Sequence, residues 1–441
     1  MGVAAYDGPD EGSGREPTLT GVMRAMTESP PHVRAVAQVG SDRPGATGPA
    51  VLLPRRRPGY LGPVHVVQLL IAEAAVITVL AVSGRGVVVL GVAAVLGLVL
   101  LALTLTRREG RWWIERRLMT RQYRRRRKVR PVTVPADPRL TALRWLAPGL
   151  SVQTIDTRDG AQIGVAQDEA GWYAVAAVSP RAAMRDDAHD GLPLDVLVQA
   201  LVDVAQPGAV LQVVTHTVPA PSLDLDPARP AGHSYRELLQ RFGPVPIPVD
   251  RVTWVAVRLD ARALAESGVD GVAETGRAPA AVATLIRRVA KSLRPLGFTY
   301  QVLDAGGLVD ALSRSCDLTH PAQSGPAPDP REDWTAWHSG RLAHRSFWIA
   351  EWPGIAASGA LLDWLSTAPA AQSSIAMILV PDGDSVDMRC VARISAPPNE
   401  LAAVAEAVDR GARTAGARLF PLDGEQAPAT YASAPTGGGP R

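Results

Sequence analysis

The sequence predicts an α/β (α+β) fold: a two-helix transmembrane hairpin followed by a domain of tandem β-α-β-β-α-β-like units. Three observations carry this prediction. Two apolar runs stand almost end to end at residues 61–83 and 86–106. A strongly basic stretch, "RREGRWWIERRLMTRQYRRRRKVR", follows them at residues 107–130. Beyond residue 150, short β-branched runs alternate with amphipathic helical runs, which is typical of a domain with both strands and helices.

Each apolar run is long enough for a helix that crosses a hydrocarbon core of about 30 Å. The second run contains no charged residue, whereas the first contains His65 near its end and Glu73 close to its middle. Because an ionised group is costly in lipid, we expect Glu73 to face the partner helix or another subunit. A protonated Glu73 without a role is the alternative. The link at Gly84 and Arg85 is so short that the two helices must form a tight hairpin.

Positive charge flanks this hairpin on both sides. The segment "PRRRP" at 54–58 precedes the first run, and the basic stretch follows the second. Since positively charged loops stay on the cytoplasmic side, we expect a multi-pass protein of the plasma (inner) membrane with both termini and the main domain in the cytoplasm. Residues 1–55 are rich in Gly, Pro, Ser and charged residues, which predicts a disordered cytoplasmic tail.

The basic stretch holds twelve Arg or Lys against two Glu, a net charge of +10. Its place after the second apolar run predicts a basic interfacial helix over 107–130 that is attracted to anionic lipid headgroups. Contact with an acidic face of a partner subunit is compatible with this interpretation. Nucleic-acid binding is not expected, because residues 131–441 carry 34 acidic against 26 basic residues. The predicted membrane-interface residues are Arg107, Arg108, Trp112, Trp113, Arg124, Arg125, Arg126 and Arg127.

The remaining chain is predicted to form two units of the same element order, at 150–318 and 334–425, with a linker at 319–333 and a flexible tail at 426–441. Such an order favours an antiparallel sheet with helices on one face. No residue-level similarity between the units is visible, so the duplication rests on the order of elements. Strands are predicted at 151–157, 162–167, 172–178, 209–218, 252–259, 298–304, 345–351, 374–380, 385–394 and 416–421, and helices at 193–205, 279–295, 356–367 and 399–414, with a short one near 233–242.

The search for catalytic motifs is negative. The segment "LIRRVAKS" lacks the glycines of a phosphate-binding loop, and no dinucleotide, nucleophile-elbow or zinc-protease motif occurs. One candidate metal site is "PDGDSVD", where Asp382 and Asp384 follow a strand and suit Mg²⁺ or Mn²⁺ with a nucleotide sugar. Asp-Gly between two strands also signals a hairpin turn, which is the favoured interpretation. Cys316 and Cys390 are far apart and are interpreted as buried thiols, and no cofactor is predicted.

Half of the ten tryptophans fall between residues 334 and 364. Trp348 and Trp364 are assigned to the core. Trp334 and Trp337 follow the acidic segment "DPRED" and are predicted as contacts for a partner protein, because exposed aromatic residues often anchor interfaces.

Several segments together resemble a known family. They are "SVQTIDTRDGAQIGVAQDEAGWYAVAAV", "LPLDVLVQAL", "VLQVVTHTVPAPS", "RVTWVAVRLD", "HRSFWIAEWP" and "LFPLDGEQAPATYASAPTGGG". In this order, after a hairpin and an Arg-rich connector, they resemble EccE, a membrane component of the actinobacterial type VII (ESX) secretion system. The resemblance spans nearly everything from about residue 55 onwards. Membrane proteins of actinobacterial conjugation systems carry a similar "HR-aromatic-W…WP" segment and remain the alternative family.

The resemblance implies a structural role in an inner-membrane complex with EccB-, EccC- and EccD-like subunits, of which EccC supplies the ATPase. It carries no catalytic residues over to this chain. Two hypotheses of different class follow. The chain is a non-enzymatic subunit of the secretion complex that docks other subunits through its cytoplasmic domain, or it is a membrane-bound glycosyltransferase-like enzyme that uses Asp382 and Asp384.

Overall fold

The computed structural model describes residues 35–38, 60–61, 64–82, 84, 86–105, 107–108, 111–128, 137–157, 159–180, 192–204, 206–219, 230, 233–234, 237, 241, 250–266, 271–318, 329–382 and 385–439. The predicted tail at 1–55, apart from 35–38, lies outside these residues. Most of the predicted short helix near 233–242 and most of the predicted linker lie outside them as well.

The helices with described bounds are α1 (Val66–Val82), α2 (Val87–Leu105), α3 (Trp113–Arg126), α4 (Pro138–Leu143), α5 (Leu194–Val202), α6 (Ala261–Glu266), α7 (Gly271–Ser292), α8 (Ala305–Ser315), α9 (Ile355–Ser366), α10 (Leu401–Thr414) and α11 (Gln426–Ser433). The strands are β1 (Ala35–Gln38), β2 (Tyr60–Leu61), β3 (Val64–His65), β4 (Arg107–Arg108), β5 (Arg111–Trp112), β6 (Ser151–Asp156), β7 (Gln162–Asp168), β8 (Gly171–Pro180), β9 (Ala209–Val218), β10 (Asp250–Asp260), β11 (Phe298–Val302), β12 (Arg331–Glu332), β13 (Trp337–His338), β14 (Ala343–Glu351), β15 (Gln372–Asp382), β16 (Ser385–Ala396) and β17 (Arg418–Pro421).

Thirteen of the described strands join in one antiparallel sheet, which confirms the predicted mixed α+β class. The spatial order is β12-β13-β14-β16-β15-β9-β10-β8-β7-β6. Three strands lie off this path: β17 pairs with β14, β11 pairs with β8, and β1 pairs with β16. Strand β12 falls inside the predicted linker, so the second unit begins a few residues earlier than the sequence indicated.

The order β-α-β-β-α-β occurs twice, as β8-α5-β9-β10-α7-β11 and as β14-α9-β15-β16-α10-β17. The spatial order of strands is also the same, β11-β8-β10-β9 in the first unit and β17-β14-β16-β15 in the second. The two units join where β9 pairs with β15, from Thr217 opposite Ser373 to Leu211 opposite Leu379. Each of these strands would otherwise be an open edge with unpaired backbone groups, so the pairing makes one continuous sheet.

Helices cover both faces of this sheet: the helices predicted at 193–205, 279–295, 356–367 and 399–414 share one face, as predicted, whereas helices that were not predicted cover the other. One face packs against α5, α6, α7, α9 and α10. The other packs against α4, α8 and α11, and we call it the clasp face. Helices can pack on both faces because the side chains that alternate along the strands are apolar on both faces of the sheet. In β8, Tyr173 and Val175 face one side and Ala174 and Ala176 the other, and all four are 0% exposed.

The hairpin forms as two helices, α1 and α2, that pack against each other near Ala75 and Gly97. Both helices lie within the predicted spans at 61–83 and 86–106. Within the described residues, no helix reaches the length and apolar content that a membrane crossing requires. The membrane crossing therefore stays a prediction.

Residues 426–439 form α11 and a buried extension, which we call the C-terminal clasp. The predicted flexible tail at 426–441 is therefore wrong over these residues. The side chains of Gln426, Thr430, Ser433 and Thr436 are 0% exposed, and Tyr431 is 1% exposed. No helix was predicted here, because "QAPATYAS" is short and holds a proline and two β-branched or small polar residues.

The clasp starts on the second unit and is fixed to the first by a buried polar network. Asp168 of β7 forms an ion pair with Arg258 of β10, and both side chains are 2% exposed. The Tyr431 hydroxyl donates to Asp168 Oδ2 at 2.9 Å, and its oxygen lies 2.9 Å from the Tyr173 hydroxyl. Burial raises the pKa of both tyrosines well above their usual value, so both hydroxyls stay protonated.

Two further residues bind the backbone of the clasp. Arg258 Nη1 donates to the Thr436 carbonyl oxygen at 2.8 Å. Gln212 Oε1 accepts from Thr436 N at 3.0 Å and from Gly437 N at 2.7 Å, and its Nε2 donates to the Ala432 oxygen at 2.7 Å. A buried polar group that loses its partner costs free energy, so this network holds the clasp in one register.

Gly437→Ala is expected to destabilise the fold by about 2–4 kcal/mol, because Gly437 has a φ of +74° and an added Cβ would stand 2.3 Å from the Arg258 Cβ. The control is Gly160→Ala, where φ is +78° but no atom lies within 4 Å of the added Cβ. That variant carries the conformational cost alone, about 1 kcal/mol. Thermal and denaturant unfolding measure both. Equal losses would mean that the clasp does not pack against Arg258 as described.

Candidate functional site at the basic helix

The basic stretch is not one helix from 107 to 130. Arg107 and Arg108 pair with Arg111 and Trp112 as the two-stranded ribbon β4–β5, and α3 begins at Trp113. The predicted helix therefore starts six residues too early. Gly110 is a poor helix former, and it stands between the two short strands.

One face of α3 is docked on the second unit. Arg116, Met119, Tyr123 and Arg126 recur at a spacing of three or four residues and lie on the same side of the helix. Met119 is 9% exposed. The Tyr123 ring meets the Trp334 ring edge-on, with centroids 5.4 Å apart, and the Arg116 guanidinium lies 6.0 Å from the Trp334 centroid. The stretch that was predicted to lie on lipid therefore also packs against the sheet domain of its own chain.

Gly424 lets the helix come close. Its φ is +81°, and an added Cβ would stand 2.8 Å from the Trp334 ring and 3.0 Å from the Met119 sulfur. Arg126 Nη2 donates to the Gly424 oxygen at 2.5 Å. A side chain at this position would push α3 away from the domain.

Glu332 is the polar centre of the docking site, and its side chain is 7% exposed. Its Oε2 accepts from Arg126 Nε at 3.0 Å, and its Oε1 accepts from Arg126 Nη2 at 3.1 Å. Oε1 also accepts from the backbone N–H of Ala427 at 3.0 Å, in the first turn of α11. A bidentate Arg–carboxylate pair gives geometric specificity as well as energy. Glu332 therefore joins the helix that follows the hairpin to the start of the clasp.

The predicted partner tryptophans have partners in this chain. Trp334 contacts α3, as described above. Trp337 is 1% exposed and lies 5.2 Å from the His344 ring, so it is a core residue and the prediction of a surface contact there is corrected. The sequence signal, two tryptophans after an acidic segment, did not distinguish a contact within the chain from a contact with another protein.

The predicted membrane-interface residues whose side chains are described form two groups: two that make contacts within the chain and two that are only exposed. Arg126 is ion-paired with Glu332, and the Arg127 guanidinium lies 5.6 Å from the Tyr123 ring centroid. Arg124 and Arg125 are exposed on α3. The side chains of Arg107, Arg108, Trp112 and Trp113 lie outside the described part of the structure, although their backbones are described. On α1, the Glu73 side chain is exposed.

The Asp-x-Asp candidate lies at the end of a hairpin. β15 ends at Asp382 and β16 begins at Ser385, and these two residues pair. Asp384 and the Asp382 side chain lie outside the described residues. The pairing fits the hairpin-turn interpretation. Among the described residues, no group of three or more His, Cys, Asp or Glu side chains is placed to hold a metal ion.

A second polar cluster, which sequence reasoning missed, lies buried on the clasp face. His216, Ser374 and Arg393 stand on the adjacent strands β9, β15 and β16. Ser374 Oγ lies 2.8 Å from His216 Nδ1 and accepts from Arg393 Nη2 at 3.0 Å. Arg393 Nη2 also donates to the Ser315 carbonyl oxygen at 2.7 Å, at the C-terminus of α8, where a cation is favourable. The residues are scattered in sequence and come together only through the register of the sheet.

Both buried histidines of this region are held neutral. Burial and the Arg393 charge lower the pKa of His216 to about 3. The same two causes lower the pKa of His344 well below its usual value, and His344 Nδ1 lies 2.7 Å from Ser395 Oγ. His216 is 1% exposed and His344 is 0% exposed, so no substrate can reach either ring in this conformation. The cluster supports the sheet and offers no accessible catalytic group.

Acid is expected to destabilise the fold through these histidines. Their pKa in the folded chain lies below the ordinary 6.5, so the unfolded chain binds protons that the folded chain does not. Stability is therefore complete above about pH 6.5 and falls as the pH drops, by about 1.4 kcal/mol per histidine per pH unit. His216→Gln should lower that slope by one histidine between about pH 6 and pH 5 in denaturant titrations. An unchanged slope would contradict a neutral buried His216.

Arg126→Gln is expected to lower the free energy of unfolding by about 1–3 kcal/mol, because it leaves the buried Glu332 with fewer donors. Amide hydrogens of α3 should then exchange faster. The control is Arg125→Gln at the neighbouring exposed position, with an expected change within about 0.5 kcal/mol. Arg126→Gln combined with Glu332→Gln should recover part of the loss, since no buried charge remains. Equal behaviour of the two single variants would show that this ion pair does not hold α3.

Residues 247–349 match the model of a family described as "Putative type VII ESX secretion system translocon, EccE". The matched segment begins just before β10 and ends within β14, so it crosses from the first unit into the second and includes Glu332 and Trp334. No curated protein shows a significant match to the chain. The family match confirms the resemblance found in the sequence motifs. Over residues 247–349, the chain is similar to the EccE domain of the type VII ESX secretion system translocon.

Proposed function

We propose that this protein is a non-enzymatic structural subunit of the inner-membrane type VII secretion complex. It is anchored by the α1–α2 hairpin and docks other subunits through its cytoplasmic domain. The observation that carries the proposal is the position of the family match. The matched segment holds Glu332 and Trp334, and these residues fix α3, which follows the hairpin after the short β4–β5 ribbon. The family segment thus contributes two of the residues that hold this helix, and Gly424, outside the segment, contributes a third.

The surface of the hairpin supports a membrane anchor. Leu80, Val87, Val88, Leu96 and Leu98 are among the large apolar side chains of α1 and α2 that are more than half exposed in this chain. An apolar surface of this extent is unfavourable in water and suits contact with lipid or with other helices. Glu73 is exposed on the same hairpin, which supports a polar contact with a helix of another subunit.

The flanks of the hairpin give its orientation. Arg107, Arg108, Trp112 and Trp113 follow α2 directly, and such residues suit the headgroup region. We infer that both termini and the sheet are cytoplasmic. The expected partners are EccB-, EccC- and EccD-like membrane subunits, with the ATPase supplied by the EccC-like one. The buried state of His216 and His344, and the hairpin pairing at Asp382, give no support to a glycosyltransferase role.

Complex formation is tested by purifying the detergent-solubilised membrane assembly from the native host through a tag on the N-terminal tail. A tag there avoids the buried clasp. We expect the protein to migrate with the other membrane subunits, and Glu73→Ala to weaken that association while Gln68→Ala, on the same helix, does not. Tagged protein that migrates alone would overturn the proposal.

Topology is tested by labelling single cysteines in intact cells with a membrane-impermeant maleimide. Gly84→Cys, in the link between α1 and α2, should react from outside, whereas Thr284→Cys on α7 should react only after lysis. The native thiols do not interfere, since Cys316 and Cys390 are buried and burial raises the pKa of Cys390 to about 12. Reaction of Thr284→Cys in intact cells would contradict a cytoplasmic domain.

A further inference from the structure

Helix α3 has two faces that point in opposite directions. The docked face consists of Arg116, Met119, Tyr123 and Arg126. The other face, which we call the cationic face, is formed by the exposed residues Arg121, Arg124 and Arg125 of α3 together with exposed Lys128 in the turn that follows the helix. At 3.6 residues per turn, the centres of the two faces are about 170° apart. The domain therefore holds α3 so that these four cations point directly away from it.

An apolar side chain accompanies the cations. Leu118 lies on the same side of α3 and is 51% exposed. Outside α1 and α2, Leu296 is the other large hydrophobic residue of the described chain that is exposed, at 38%. A surface that combines basic residues with an exposed leucine is typical of a helix at a lipid interface. A nucleic-acid backbone would match the charges but not the leucine.

The place of α3 in the chain favours the same partner. Its first residue, Trp113, comes eight residues after Leu105, the last residue of α2. Eight residues span at most about 28 Å when extended, and the β4–β5 ribbon doubles back and shortens that reach. Helix α3 also contacts α2 directly. If α2 crosses the membrane, α3 lies at the depth of the headgroups.

We propose that the cationic face of α3, with Leu118, binds a surface of anionic phospholipid headgroups. This rests on the proposed function, because it requires the hairpin to cross the membrane. Since the opposite face is fixed to Glu332 and Trp334, lipid contact also sets the orientation of the whole sheet. The edge of the second unit at Arg331–Glu332 then faces the membrane. Arg126 has a different role from the basic residues next to it, because it forms the ion pair with Glu332 that fixes α3 to the domain.

The test uses the full chain with a nitroxide on Gln122→Cys, an exposed position on the flank of α3 between the cationic face and the docked face. The chain is reconstituted into nanodiscs of phosphatidylcholine, alone or mixed with phosphatidylglycerol, that contain a lipid with a nickel-chelating headgroup. We expect the nickel lipid to broaden the nitroxide spectrum, and more strongly with phosphatidylglycerol. Replacing Arg121, Arg124, Arg125 and Lys128 with Gln should remove most of that broadening. Replacing Arg262, Arg287, Arg410 and Arg413 with Gln, which removes four charges elsewhere, should leave it unchanged.

A second label on Arg331→Cys tests the orientation, because its side chain is 63% exposed beside Glu332. We expect broadening there in the otherwise unchanged chain and a clear reduction in the Arg126→Gln variant, while the Gln122 label keeps its broadening. That pattern would show that lipid contact and domain docking use separate residues of one helix. Equal broadening at Arg331 with and without Arg126 would overturn the orientation.

The outcomes separate this proposal from the proposed function. Insertion is measured independently, by co-elution with nanodiscs of phosphatidylcholine alone. Failure to insert would overturn the membrane anchor itself. Insertion without broadening at Gln122 would overturn the lipid contact and leave the anchor standing. Broadening that is unchanged when the four cations are replaced would also overturn the lipid contact. A change in the spectrum of the Gln122 label that occurs only when an acidic protein or duplex DNA is added would overturn it in favour of that partner.

Discussion

The buried carboxylate of Glu332 is the constraint on which the arrangement of this molecule depends. A charge that is almost removed from water needs several donors, and Glu332 finds two in Arg126 and one in the backbone of Ala427. The donors come from segments about 300 residues apart in sequence, so the carboxylate can be satisfied only when both are in place. The basic helix and the clasp are therefore positioned by one group.

The clasp runs from its contact with Glu332 across the sheet to Arg258. It starts at Gln426, whose Oε1 accepts from the Ser346 backbone in the second unit, and it ends against Arg258 and Gln212 in the first. The two units already share a sheet through β9 and β15. The clasp adds polar contacts that are specific in direction, which apolar packing does not supply. A displacement of α3 is thus resisted by both units together.

Much of the sheet was predictable from periodicity. Strand β9 was predicted at 209–218 and has these bounds, because a β-branched run between a Pro-Gly turn and a proline is a clear signal. Helix α7 begins at Gly271, eight residues before its predicted start, since Gly276 and Pro279 hide the helical pattern. Helix α8 on the clasp face was missed for a similar reason: after its cap, Asp304, and Ala305, it has two glycines in its first turn.

The site was less predictable than the sheet. Twelve basic residues within residues 107–130 indicate an anionic partner, but they do not tell which arginine will pair with Glu332, which is 206 residues from Arg126. The same holds for Asp168, Arg258 and Tyr431, whose proximity follows from strand register and from a segment with no helical signal. Sequence patterns report local periodicity and composition. Ion pairs between distant segments are decided by the three-dimensional packing that those patterns only begin to specify.

The position of the clasp also fixes a sequence of events during synthesis. Residues 426–439 are translated after every strand of the sheet, yet they supply the hydroxyl, the carbonyl and the amides that Asp168, Arg258 and Gln212 require. Until they emerge, the first unit carries buried polar groups without their partners, and Glu332 lacks the Ala427 amide. The hairpin is translated long before. A nascent chain therefore completes the α1–α2 hairpin first and closes its sheet domain last, so that rigid attachment of the domain to α3 comes only after the hairpin has been made.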